Sequence, residues 1–303
     1  MHRALAPTLA AALGTATLGC AHRTPAATGE GAPDAAADPV RAVEVSAMGA
    51  IAEPKDAEPV DAEARKRGCR KGDGADCTRL GELYSRGDGV PRDPHAALRL
   101  YEVACEKGDP AGCNDFGLAL EEGLATDPDV AGAERVFARA CELGSPDGCT
   151  NAGYMHSTHP SSPGDGASAI AFYDRACDAG SGQGCHNLAF RYERGIDVPR
   201  SEARALPLYD RACQMGVAVA CGSMGRLFEH GRGVPRDPDK AVQLYAQACA
   251  GGDPNGCNDV GRVYELGIGV SEDAVRARGY FERACDAGSI IACNNLGHAR
   301  GAR

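Results

Sequence analysis

The residues with the most chemistry to offer are 15 cysteines and 8 histidines. A thiolate can ligate a metal, attack a substrate or close a disulfide, and spacing tells these apart. No C-x2-C occurs, so the zinc-ribbon, thioredoxin and c-type haem spacings are missing. Fourteen cysteines fall instead at two phases of one period. Cys69, Cys105, Cys141, Cys177, Cys213, Cys249 and Cys285 stand 36 residues apart. Each is followed eight positions on by Cys77, Cys113, Cys149, Cys185, Cys221, Cys257 and Cys293 in turn. So many cysteines without metal spacing point to disulfides made in an oxidising compartment. Oxidised cysteines are lost as nucleophiles.

Eight residues of continuous helix rise about 12 Å, whereas a disulfide needs Cα atoms within roughly 7 Å. A bridge inside C-x7-C therefore requires the chain to fold back, as Gly108-Asp109-Pro110 would make it do. Such a bridge ties the end of one helix to the start of the next and stabilises by about 2.5 kcal/mol per loop. The alternative pairs Cys77 with Cys105, across two helices.

Other catalytic patterns are missing. S-x-x-K, G-x-S-x-G and H-E-x-x-H do not occur, and no P-loop or G-x-G-x-x-G stands in a strand context. No catalytic residue, metal ligand or cofactor is assigned. His156, His159 and Asp165 could form a weak metal site, but the plainer reading is a polar surface loop. His186 is expected to face solvent at a helix start, and His95, His230 and His298 each occur once, outside the repeating frame. Arg139, Arg175, Arg211 and Arg283 recur two residues before a cysteine. They are expected to complement the negative end of a helix and pair with nearby carboxylates, or to line a face that binds an anionic peptide or glycan.

The elements that must hold these residues follow from the same frame. Tyr101, Phe137, Tyr173, Tyr209, Tyr245 and Phe281 stand four residues before the first cysteine of a pair. Ala97, Ala133, Ala169, Ala205, Ala241 and Ala277 stand eight before it, and a second alanine series, Ala104 to Ala284, one before it. These offsets share one face of an α-helix. A glycine three residues after the cysteine, Gly72 to Gly288, ends that helix. The second cysteine opens the next helix, with apolar residues at +3 and +7 and glycine at +4 in every repeat but one. Glycine inside a helix costs about 1 kcal/mol against alanine, so its return implies a neighbour too close for a Cβ. Gly87-Asp88-Gly89-Val90-Pro91-Arg92-Asp93 and its copy from Gly231 to Asp237 then turn the chain, and Asp93 and Asp237 precede a proline as helix N-caps. The period makes the chain an all-α solenoid of about seven helix pairs over residues 62–303.

The start of the chain reads differently. Met1-His2-Arg3 is basic and residues 4–19 are rich in Ala and Leu, as in a secretory signal. The ending Thr17-Leu18-Gly19-Cys20 resembles the bacterial lipoprotein box, which implies lipid on Cys20, the one cysteine outside the pairs. Ala21 after it implies the outer membrane by the same resemblance. Ordinary signal cleavage is the alternative. Residues 21–61, rich in Ala, Pro and acidic side chains, read as a disordered tether. The net charge of −10 argues against nucleic acid as the partner.

Leu80-Gly81, Tyr84, Gly87-Asp88-Gly89-Val90, Asp93, Ala97, Tyr101 and Ala104 resemble the Sel1-like repeat, a relative of the tetratricopeptide repeat. The C-x7-C pairs are similar to those of the cysteine-rich secreted bacterial members of that family, the Helicobacter type. The resemblance implies a stacked helix-pair scaffold whose concave face binds a protein, a peptide or a cell-wall ligand. Its site would be the cell envelope, the periplasm, the outer membrane through a lipid anchor, or the exterior. Those relatives are described as β-lactam-binding or β-lactamase-like, which makes a weak hydrolase the alternative. One repeat departs: His156 to Gly166 replaces the glycine loop with Ser, Thr and Pro, and the helix before it is expected to be short.

Overall fold

The structure, a computed structural model, describes residues 62–159 and 165–301, with side chains as far as residue 297. The signal-like segment, Cys20 and the tether lie outside the described residues. Fourteen helices and no strand occur among them. They are α1 (Ala62–Arg70), α2 (Gly74–Arg86), α3 (Pro94–Glu106), α4 (Pro110–Glu122), α5 (Val130–Glu142), α6 (Pro146–Thr158) and α7 (Asp165–Asp178). Then come α8 (Gly182–Arg194), α9 (Glu202–Gln214), α10 (Ala218–His230), α11 (Pro238–Ala250), α12 (Pro254–Leu266), α13 (Ala274–Asp286) and α14 (Ile290–Gly301).

Most of the helices start where a side chain can satisfy their free N–H groups; α10, which begins after Val217, has no such side-chain cap. Asp93 accepts from Ala96 N at 2.9 Å and Asp237 from Lys240 N at 2.9 Å, each ahead of a proline at the first helical position. Asp109, Ser145 and Ser181 cap α4, α6 and α8 in the same way. The odd helices from α3 to α13 stop just after their cysteine. The glycine three residues beyond takes φ between 83° and 93°, which only glycine adopts without cost. Gly108 N then reaches Cys105 O at 3.0 Å and Asp109 N reaches Ala104 O at 3.0 Å, closing the helix end.

This tight bend brings the two cysteines of each pair together. All seven C-x7-C pairs are disulfide-bonded, with Cα separations from 4.2 to 4.9 Å. Loop-joined helices such as α2 and α3 pack as hairpins, and even helices such as α2 and α4 or α10 and α12 lie beside one another. The result is a solenoid of helix pairs with one disulfide per repeat.

The core interleaves alanines with large rings. Both alanine series are buried, as are the six aromatics between them. A Cβ built on Gly153 would lie 2.7 Å from the Tyr173 ring, and one on Gly117 2.5 Å from the Phe137 ring. The neighbour that forbids a side chain is thus the ring of the following helix. At Gly297, the last of the series, nothing lies within 4 Å.

One expectation is corrected. The helix before the irregular loop is not short: α6 has 13 residues, like most others. Ser145 caps its start, and the hydroxyls of Ser157 and Thr158 return hydrogen bonds to Gly153 O (2.6 Å) and Tyr154 O (2.9 Å). The polar residues that look like a loop therefore hold the last turn.

Candidate binding face and pocket

The even helices present a polar face in register from repeat to repeat. Asn151 donates to Asn114 Oδ1 at 2.9 Å, and Asn295 to Asn258 Oδ1 at 2.9 Å. The fifth residue after the second cysteine lies on the same face. In α6 and α8 it is an exposed aromatic, Tyr154 (50% exposed) and Phe190 (41% exposed). In α10 and α12 it is Arg226 and Arg262.

Beneath this face lie charged relays that the sequence did not announce. The Tyr209 hydroxyl donates to Glu193 Oε2 at 2.8 Å, and Arg232 to Glu193 Oε1 at 2.9 Å. One repeat later Tyr245 donates to Glu229 Oε2 at 2.6 Å, while Arg262 grips both Glu229 oxygens at 2.8 and 2.5 Å. Burial, with the carboxylate partner behind it, pushes both phenols above their ordinary range. Burial alone would push the Glu229 carboxyl up, but the hydrogen bonds from Arg262 and Tyr245 outweigh it and hold it below the usual range. The signal was the eighth residue after the second cysteine. It is Ser85, Ser157, Glu193 or Glu229 where the facing aromatic is Tyr. Opposite Phe137 and Phe281 stand Glu121, half-buried, and Glu265, exposed. A carboxylate is drawn under the surface where a hydroxyl can meet it.

Between α8 and α10 the face opens into a pocket of about 470 Å³. His186, Phe190, Glu193 and Arg194 line it from α8, at helical spacing. Val219, Ser223, Arg226 and His230 line it from α10, and Arg232 from the loop after α10. Arg194 lies over the Phe190 ring at 5.5 Å. Arg226 donates to Ser223 at 2.9 Å and to Asp259 at 3.3 Å. His186 is half-buried rather than solvent-facing, because its ring lies 5.7 Å from that of Tyr209. Burial pushes its pKa down, so it is neutral at neutral pH.

The remaining expected residues fall elsewhere. His156 stacks on Phe172 at 5.3 Å and faces Asp165 at 3.4 Å and Glu134 at 3.6 Å. No group of three His, Cys, Asp or Glu among the described residues could hold a metal ion. Arg139, Arg175 and Arg283 donate to Cys105 O, Cys141 O and Cys249 O at 3.0 to 3.4 Å. They complement the end of the preceding repeat's helix, not their own, and so tie neighbouring repeats together. Arg211 instead reaches Asp178 at 3.3 Å. His230, outside the frame in the sequence, lines the pocket.

Ser223 accepts from Arg226 at 2.9 Å. No serine–lysine hydrogen bond of the kind a β-lactam hydrolase would use is found among the described residues. No helix among the described residues is long and apolar enough to cross a membrane.

Comparison with known proteins gives a consistent picture. The family model described as the Sel1 repeat matches residues 75–109, 146–181, 182–217, 218–253 and 254–289. A protective antigen present in uropathogenic Escherichia coli strains, displaying an SLR fold, superposes with a TM-score of 0.72 at 26% identity. The match covers 79% of this chain and 51% of that one, so the chain spans about half the antigen's length. A Sel1 repeat protein from Oxalobacter formigenes gives a TM-score of 0.67 at 26% identity, over 75% of this chain and 100% of that one. Helicobacter pylori cysteine rich protein B is 31% identical over 44% of this chain and 95% of its own, with a TM-score of 0.37. No curated protein matches the chain.

Proposed function

The chain belongs to the Sel1 repeat family, and from that premise we propose that it is an exported scaffold that binds protein or peptide partners in the cell envelope. The carrying observation is the face of the even helices, where Tyr154 and Phe190 stand exposed at equivalent positions of adjacent repeats. Exposed aromatics beside a polar ladder are the composition of a recognition surface, since large rings give most contact energy per residue. The staples support the extracellular setting. Seven disulfides persist only under oxidising conditions. The basic start, the apolar stretch and Cys20 support export with lipid attached to Cys20, and residues 21–61 serve as the tether.

Photo-crosslinking in the envelope tests this reading. A photoreactive residue replaces Tyr154 on the face or, as control, Asp210, exposed on α9. We expect discrete adducts from position 154 and none from position 210. Equal labelling from both positions, or none from either, would overturn the scaffold reading.

A further inference from the structure

We infer that the pocket between α8 and α10 receives the carboxyl terminus of a peptide, its carboxylate against the arginines and its last apolar side chain against Phe190 and Val219. This rests on the scaffold reading and names the partner chemistry of one part of the same face.

The charge argument comes first. Three arginines, Arg194, Arg226 and Arg232, line the pocket, against one carboxylate, Glu193. Glu193 is already occupied by Tyr209 and Arg232. Asp259 draws on Arg226 from α12 at 3.3 Å, and Asp253 acts on His186 from the start of α12. Arg194 has no carboxylate partner among the described residues; its guanidinium rests on Phe190. Arg232 uses one amino group on Glu193 at 2.9 Å, and its side chain is 34% exposed. An arginine carries more N–H donors than one carboxylate oxygen uses, and they suit a further carboxylate.

The apolar wall then selects among carboxylates. Phe190 is 41% exposed and Val219 36% exposed, on opposite helices across the opening. An acidic side chain would bring charge alone. A chain terminus carries its carboxylate and its last side chain on one Cα, so both halves of the site are filled at once. The volume of about 470 Å³ suits one or two residues.

The test uses the full chain and fluorescein-labelled Gly-Gly-Phe, as free acid and as C-terminal amide, read by fluorescence anisotropy. The free acid should bind saturably, and amidation should weaken binding at least tenfold. Arg194→Glu should do the same, and Phe190→Ala should weaken it severalfold. Arg135→Glu, exposed on α5, should change nothing. Acetyl-Gly-Glu-Phe-amide, which offers an internal carboxylate beside an apolar ring, should compete at least tenfold more weakly than the free acid. Equal binding of acid and amide, equal competition by the internal acid, or no binding of the free acid would overturn the inference. The adducts from position 154 would survive that failure, which separates it from failure of the scaffold reading.

Discussion

The Tyr245 hydroxyl donates a 2.6 Å hydrogen bond to Glu229, a carboxylate held under the surface of the α10–α11 hairpin. Arg262, from the next repeat, takes the other side of that carboxylate. One buried group thus joins both helices of one repeat to the first helix of the following one. Tyr245→Phe should cost about 1–2 kcal/mol, the range for a hydrogen bond to a charged group at a partly screened site. Urea denaturation measures it, and an unchanged midpoint would contradict the role given to the phenol.

The same carboxylate sets a pH dependence. Its folded pKa lies below the ordinary value of 4.5, after burial is outweighed by Arg262 and Tyr245. Its stabilisation is therefore complete above about pH 4.5 and fades as pH falls through the lower, folded value. Glu229→Gln should remove that part of the acid sensitivity, seen as a flatter stability profile below about pH 4.5.

Asp115 has the opposite sign. Burial, aided by Glu82, raises its pKa to about 6. Ionising it in the folded protein is unfavourable, so stability falls as pH rises from about 4 to about 6. Asp115→Asn should raise stability at pH 7 by about 1 kcal/mol, discounted for partial solvent screening, and change little at pH 3. Paired melts at the two pH values decide it.

The repeated glycine separates crowding from propensity. Gly153→Ala forces a Cβ against the Tyr173 ring and should cost about 1–3 kcal/mol. Gly297→Ala meets no neighbour within 4 Å and should stabilise by up to about 1 kcal/mol. Opposite signs in chemical denaturation are expected; equal signs would refute the packing explanation.

Mass mapping of non-reduced peptides should recover seven eight-residue bridges, such as Cys141 with Cys149, and a modified peptide at Cys20. Cys20→Ala should move the chain from the membrane fraction to the soluble envelope fraction. Recovery of Cys77 joined to Cys105, or membrane partitioning unchanged by Cys20→Ala, would contradict these assignments.

Much of this architecture is legible in the chain itself. The 36-residue period, the alanine and aromatic series and the glycine bends each express a local rule: helix periodicity, capping and left-handed backbone. Because each repeat packs mainly on its neighbours, local rules written seven times nearly define the stack. What tertiary structure decided is cross-repeat chemistry. Arg139 meets Cys105 O, 34 residues away; Arg262 meets Glu229, 33 away; and Phe190 and Val219 face each other across α8 and α10. Those meetings depend on how far one repeat turns against the next, a quantity set by packed side chains and carried by no single motif. In the middle of the chain, Tyr173 and Ser157 look like a core ring and a loop residue, and only their 3.0 Å contact makes them a pair.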